Sequence, residues 1–138
     1  MSDMNDWNQQ IMAEFRATGG HPGGPFEGAP VLILHSTGAK SGLERELPLM
    51  YQAVGDDIAI FASKGGAPDN PDWYHNLKAN PDASIEIEDR VEQVRARIAE
   101  GEERDRIWEQ QKKDYPQFAG YEEATTRTIP VVILERVS

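Results

Sequence analysis

Glu46-Leu47-Pro48-Leu49-Met50-Tyr51-Gln52-Ala53, then Gly55-Asp56-Asp57, then Ile58-Ala59-Ile60-Phe61-Ala62-Ser63 is the stretch on which the fold turns. Two apolar-rich runs of strand length flank a Gly-Asp-Asp turn, so they read as an antiparallel hairpin. Upstream, Val31-Leu32-Ile33-Leu34-His35 is a short continuous apolar run, as expected of a strand buried on both faces. Downstream, Ser84 to Glu88 and Val91 to Ile98 alternate apolar and polar residues around Asp89-Arg90, a second hairpin with one face wet. Ile129 to Leu134 is a final apolar strand.

Helices frame these strands. Asp6 to Thr18 carries Trp7, Ile11, Met12 and Phe15 at helical spacing, an amphipathic stripe. Asn70-Pro71-Asp72 reads as a helix start with Asn70 or Asp72 as cap, Trp73 and Leu77 lie at i, i+4, and Asn80-Pro81 ends it. Gly101 to Lys113 is a charged helix carrying Ile107 and Trp108. Gly19 to Pro30, with five glycines and three prolines, is an extended connection. The chain is therefore one domain, 1–138: an N-terminal helix (1–18), a Gly/Pro-rich connection (19–30) and a barrel (31–137). Its class is mainly β with flanking helices, a small antiparallel β-barrel whose closure removes exposed strand edges. No G-x-G-x-x-G follows a strand, and Gly38-Ala39-Lys40-Ser41 lacks the glycine before lysine that a phosphate loop requires.

Composition narrows the chemistry. There is no cysteine, which excludes disulfides, thiolate catalysis, Cys-based zinc sites and iron–sulfur clusters. The formal net charge of −10 argues against nucleic acid as a partner, because that binding needs a basic face. No apolar run reaches the ~18 residues of a membrane span, and residues 1–18 lack the basic region followed by an apolar stretch that would suggest a signal sequence. The expected address is cytoplasmic, with peripheral membrane contact left open. His21, His35 and His75 show no ligand spacing, so no metal site is expected.

Against that acidic background, Lys40, Arg45, Lys64 and Lys78 fall within a short stretch that also holds two polar glycine turns, Ser36-Thr37-Gly38-Ala39-Lys40-Ser41-Gly42 and Ser63-Lys64-Gly65-Gly66-Ala67-Pro68. Glycines that let backbone N–H groups converge, beside hydroxyls and lysines, make a concave anion site. Ser36, Ser41 and Ser63 sit in no nucleophile elbow, so they are hydrogen-bonding groups. Tyr115, Phe118 and Tyr121 recur at i, i+3, i+6 on a segment that Pro116 and Gly120 interrupt, a looser stretch of rings able to cover a pocket. Together these features describe a planar, phosphate-bearing ligand between a glycine cradle and aromatic rings.

The order of the motifs resembles the deazaflavin-dependent nitroreductase family, over Ala29 to Val137. The matching segments are Ser36 to Gly42 with Arg45, Pro48-Leu49-Met50-Tyr51, Ser63 to Pro68, Trp73-Tyr74-His75-Asn76-Leu77 with Ala79-Asn80-Pro81, and Ile129-Pro130-Val131-Val132. The resemblance implies a split β-barrel of the FMN-binding type and coenzyme F420, an 8-hydroxy-5-deazaflavin, as the cofactor. It implies that Lys40, Ser41 and Arg45 hold the cofactor's phosphate side, and that Pro48, Met50, Ser63, Lys64, Gly65, Gly66 and Asn76 meet its ring. Tyr115, Phe118 and Tyr121 would line the substrate side, with Ser63, Tyr115 and Tyr121 in catalytic roles. Ala39 stands where many relatives carry arginine, and Phe118 lacks a hydroxyl that its neighbours in the motif have. The implied activity is hydride transfer from reduced deazaflavin to a planar acceptor: a quinone, nitroaromatic or activated enone. An FMN-dependent oxidoreductase on the same barrel and a non-enzymatic deazaflavin-binding protein are the alternatives, and the oligomeric state is open.

Overall fold

The computed structural model describes residues 3–22, 29–63, 66 and 69–137. The elements run α1 (Asp3–Thr18), β1 (Val31–Thr37), β2 (Glu44–Met50), β3 (Gln52–Val54), β4 (Asp57–Phe61), α2 (Asp72–Ala79), β5 (Asp82–Ile87), β6 (Arg90–Ile98), α3 (Gly101–Asp114), α4 (Gln117–Glu123) and β7 (Val131–Arg136). Seven strands form one antiparallel sheet in the order β2-β1-β5-β6-β7-β4-β3. The edges β2 and β3 are consecutive pieces of chain separated only by Tyr51. The single strand expected from Glu46 to Ala53 therefore changes partner at Tyr51, pairing with β1 before it and with β4 after it. That switch curls the sheet into the expected split barrel. Pro48 lies in β2 and has no N–H to offer a further strand, which suits an edge.

Side-chain alternation divides the core into three. Leu32, Leu34, Ile58, Ile60, Ile85, Val132 and Leu134 point into the barrel, where Trp73 and Leu77 of α2 join them. Their neighbours Ala59, Phe61, Val131 and Ile133 face the other way, onto Ile107 and Trp108 of α3 and Phe118 of α4. Val31 and Ile33 face Met12 and Phe15 of α1. This double burial explains why β1, β4 and β7 read as unbroken apolar runs, while β5 and β6 alternate. Ile11, Met12 and Phe15 are buried as the helical stripe predicts; the Trp7 side chain, like part of the 19–30 connection, lies outside the described residues. α1 ends in a Gly19 at φ 69° and a Gly20 N–H donating to the Phe15 carbonyl at 2.8 Å, a Schellman stop.

Three local expectations are corrected. The 82–98 hairpin turns on Glu88-Asp89, with Glu88 at φ 54°, one residue earlier than the composition suggested. Pro71 occupies the N-terminal boundary of α2 with no side-chain cap, because Asn70 is engaged elsewhere. Gln117 to Glu123 is regular helix: Pro116 precedes it, where a missing N–H costs nothing, and Gly120 is accommodated inside. No described helix is long and apolar enough to cross a membrane.

A polar network ties α1 to the barrel. His35 lies opposite Glu46 on β2 and diagonal to Glu86 on β5, so side chains remote in sequence meet on one face. Its Nδ1 is 2.6 Å from Glu44 Oε1 and its Nε2 is 2.6 Å from Glu86 Oε2. Arg16 of α1 donates to Glu86 and Glu46, at 2.6 and 3.0 Å. Both imidazole nitrogens face carboxylate oxygens, which suits the doubly protonated ring. Burial works to lower the His35 pKa, but the hydrogen bonds and charges of Glu86 and Glu44 outweigh it and raise it above 6.5. The Arg16 hydrogen bond, aided by His35 and opposed by burial, lowers Glu86 from 4.5 to about 2.

The signs fix a pH optimum. The raised His35 stabilises the fold fully below 6.5 and loses that contribution as pH rises through its folded value. The lowered Glu86 stabilises above 4.5 and loses that contribution as pH falls toward about 2. Stability at equilibrium should therefore peak between these limits, and the urea midpoint should fall on going from pH ~6 to ~9. His35→Gln should flatten that alkaline limb. An equal decline in parent and variant would show that the imidazole contributes nothing.

Candidate functional site

Residues 37–45 form the tightest polar turn in the barrel. Gly38 N–H donates to the Leu43 carbonyl at 2.8 Å, Gly42 N–H to the Gly38 carbonyl at 3.0 Å and Leu43 N–H to Ser41 Oγ at 3.2 Å. A Cβ on Gly38 would lie 2.5 Å from Ser41 Oγ, and Gly42 sits at φ 70°, so both glycines answer to geometry. From α2, Asn76 Oδ1 accepts the Ala39 N–H at 2.9 Å and fixes the turn to the helix. The carbonyl of Asn76 thus anchors the turn, a role that its sequence position did not announce.

Lys40, Ser41 and Arg45 stand exposed on this turn and on the first residues of β2. Neither Lys40 nor Arg45 has a carboxylate partner among the described residues, whereas Arg16, Arg97, Lys112 and Arg136 each have one. In an acidic chain, two uncompensated cations beside a glycine turn are groups that could hold an anion.

Pro48 and Met50 lie farther along β2. Arg45 and Met50 are separated by five residue steps, about 17 Å of strand, enough to span an elongated ligand. Pro48 is buried, and Met50 is half-buried between the α1 cluster and the α3/α4 cluster. Ser63, two residues past the end of β4, is 8% exposed. Its carbonyl accepts the Gly66 N–H at 2.9 Å and Arg127 Nη2 at 3.0 Å, while its hydroxyl has no hydrogen-bond partner among the described residues. Gly66, at φ 84°, presses on α4: a Cβ there would meet Ala124 Cβ at 2.7 Å and the Tyr121 carbonyl at 2.9 Å. Lys64 and Gly65 lie outside the described residues.

That contact brings the second glycine turn against the tyrosine segment. Tyr115 and Tyr121 are half-buried at the rim of the α3/α4 core, and neither hydroxyl has a hydrogen-bond partner among the described residues. Phe118 departs from its expected place. It is 5% exposed, packed edge-on to Phe61 at 5.7 Å, to Trp108 at 6.1 Å and to Tyr121 at 5.1 Å between centroids, because its helix turns it inward. Its ring supports Tyr121 from behind. Sequence reasoning missed Arg127 altogether, since nothing local marks an arginine that bonds Asn70 and Ser63 more than fifty residues away. It also missed the convergence of His35, Glu46 and Glu86, whose ligand-type atoms lie within 4.8 Å of one another. Both nitrogens of that imidazole are already engaged by Glu44 and Glu86, and Arg16 neutralises the carboxylates.

A split barrel with a basic glycine turn at one end, a buried serine turn at the other and aromatic rings beside it defines a protein of the flavin and deazaflavin oxidoreductase class. The family profile for F420H(2)-dependent quinone reductases matches residues 7–136. An F420H(2)-dependent quinone reductase of Mycobacterium tuberculosis is 41% identical over 128 residues, covering 90% of this chain and 86% of that protein. Among solved structures, an F420-H2 dependent reductase is 45% identical with TM-score 0.70, covering 77% of this chain and 94% of its own. One described as a domain-swapped dimer is 37% identical with TM-score 0.73, covering 97% and 100%. The chain belongs to the F420H(2)-dependent quinone reductase family, oxidoreductases that take their electrons from F420H2 and pass them to a quinone.

Gly66 is the point at which the two halves of this site can be tested together. Gly66→Ala should cost about 1–3 kcal/mol through strain at positive φ and should lower quinone reduction further by pushing on Tyr121. Gly55→Ala, at φ 61° in open space, carries the strain without the collision. Equal losses of activity in the two variants, at matched urea midpoints, would remove the special role of the Gly66 contact.

Proposed function

We propose that the chain seats F420H2 along β2, from Lys40 and Arg45 toward Ser63, and reduces a quinone laid against the cofactor beside Tyr115 and Tyr121. The observation that carries this reading is the pair of exposed, uncompensated cations Lys40 and Arg45 on a turn held by Asn76. They suit a phosphate, and Ser41 adds a hydroxyl. Pro48 and Met50 offer an apolar wall to a planar ring, with Ser63, Gly66 and Asn76 at its polar side. Lys64 and Gly65 join that set on sequence alone.

When bound, F420H2 supplies a hydride from the central carbon of its ring. The chain's own part is alignment and proton supply. Phe118, Trp108 and Phe61 hold the tyrosine segment rigid and exclude water behind it, which favours a fixed stacking distance. The unpartnered hydroxyls of Ser63, Tyr115 and Tyr121 are available to bond an acceptor oxygen or pass it a proton. Nitroaromatics and activated enones share the planar, electron-poor character of quinones and extend the acceptor range. A cytoplasmic protein meeting its hydrophobic quinone at a membrane surface fits a chain whose described helices do not span one.

Parallel titration of the protein with F420 and FMN tests the cofactor, and tighter binding of FMN overturns the reading. Lys40→Ala and Arg45→Ala should each weaken F420 binding by about 1–3 kcal/mol, the range for losing a charged hydrogen-bond partner, and raised salt should weaken the parent as well. Deuterium on the transferring carbon of the cofactor should appear at carbon in a reduced enone. Solvent hydrogen alone at that carbon would exclude direct hydride transfer.

A further inference from the structure

We infer that Arg127 is a positioning residue for the cofactor ring: its guanidinium ties Ser63 to Asn70 and so sets where the Ser63 main chain and hydroxyl stand. The proposal rests on the reading that Ser63 meets the ring. Arg127 Nη1 donates to Asn70 Oδ1 at 2.7 Å and Nη2 donates to the Ser63 carbonyl at 3.0 Å. One planar group thus bridges the residue that leaves β4 and the residue that leads into α2, the two ends of the second glycine turn. The Ser63 carbonyl is shared with the Gly66 N–H, so the same anchor fixes the glycine that abuts Tyr121. Arg127 itself stands on the connection from α4 to β7, with its N–H on Thr125 Oγ1 at 3.4 Å and Ala62 N–H bonded to the nearby Pro130 carbonyl at 3.0 Å.

These contacts put Arg127 between the acceptor-side helix and the cofactor-side turn without placing it in the anion site. A two-armed fork is what the job requires. Lysine offers a point charge on a flexible stem and cannot hold two separated acceptors in one plane. Asn70 explains itself in the same way, since its side chain is turned to the guanidinium instead of capping α2.

The test is Arg127→Lys, with Asn70→Ala and Asn70→Asp beside it, read by F420 titration, steady-state kinetics and urea unfolding. Arg127→Lys is expected to fold and to raise the F420 dissociation constant and the KM for F420H2 about tenfold, the scale of one lost charge-assisted hydrogen bond. The KM for the quinone should change less than that for F420H2, because Arg127 reaches the acceptor side only through Ser63 and Gly66. Asn70→Ala should show part of the same effect and Asn70→Asp, which keeps the acceptor, should restore it. A lower urea midpoint in Arg127→Lys and Asn70→Ala with unchanged F420 affinity and KM would make the clamp merely structural and overturn the proposal. Lys40→Ala separates this from the site reading. If Lys40→Ala loses affinity and Arg127→Lys does not, only the Arg127 proposal falls; if the reverse holds, the phosphate assignment falls and the clamp stands; if neither loses affinity, both fall.

Discussion

The change of partner at Tyr51 is the constraint on which the remaining structure depends. Because β2 and β3 are halves of one strand at opposite edges of the sheet, the sheet must curl until those edges meet along the chain. Curling gives the β1, β4 and β7 side chains an inside and an outside, and both must be covered. The inside fills with branched aliphatics. The outside needs helices, and α1 and the α3/α4 pair supply them. The same switch keeps β2 paired with β1 alone, and Met50 at its end packs against both the α1 cluster and the α3/α4 cluster.

Charge pairing decides which cations remain for a ligand. Arg16, Arg97, Lys112 and Arg136 are engaged by carboxylates on neighbouring elements, and Arg90 by Glu88 and Glu92 of its own hairpin. Most of these pairs are exposed and contribute little individually. They consume positive charge across the α1 face, the β6 surface and the α3/α4 seam, whereas Lys40 on the Gly38–Gly42 turn and Arg45 at the start of β2 have no carboxylate partner among the described residues. In a molecule of formal charge −10, such a pair beside a glycine turn is a place where an anion could be held.

Much of this was legible in the sequence because it is written in local periods. The continuous run 31–35, the Gly55 hairpin and the Gly38–Gly42 turn depend on neighbours within a few residues, where turn chemistry and alternation act. The closure at Tyr51 was not legible, since an apolar strand looks the same whether it keeps one partner or changes between two. His35, Glu86 and Arg16 meet through ladder register across 70 residues of sequence, and Arg127 reaches Ser63 across 64. Phe118 was misplaced for a related reason. Pro116 and Gly120 suggested a broken segment, but proline before the first turn permits a helix, and the helix sends Phe118 inward while Tyr115 and Tyr121 stay at the rim.

The tyrosine segment owes its position to one carboxylate. Glu122 Oε2 accepts the Trp108 indole N–H at 2.6 Å, and Glu122 Oε1 accepts Lys112 Nζ at 3.0 Å. Lys112 does most to hold the Glu122 carboxyl below its usual range, with burial opposing and the indole assisting, so it stays charged and keeps both donors. Two bonds from α3 to the residue after Tyr121 tie α4 to α3, and Phe118 packs between Phe61 and Trp108. With α4 tied in this way, the Tyr121 carbonyl and Ala124 form the surface on which Gly66 rests. Gly66 and Tyr121 therefore rest on one packed seam, and if the ring and the acceptor bind where we propose, that seam sets their alignment.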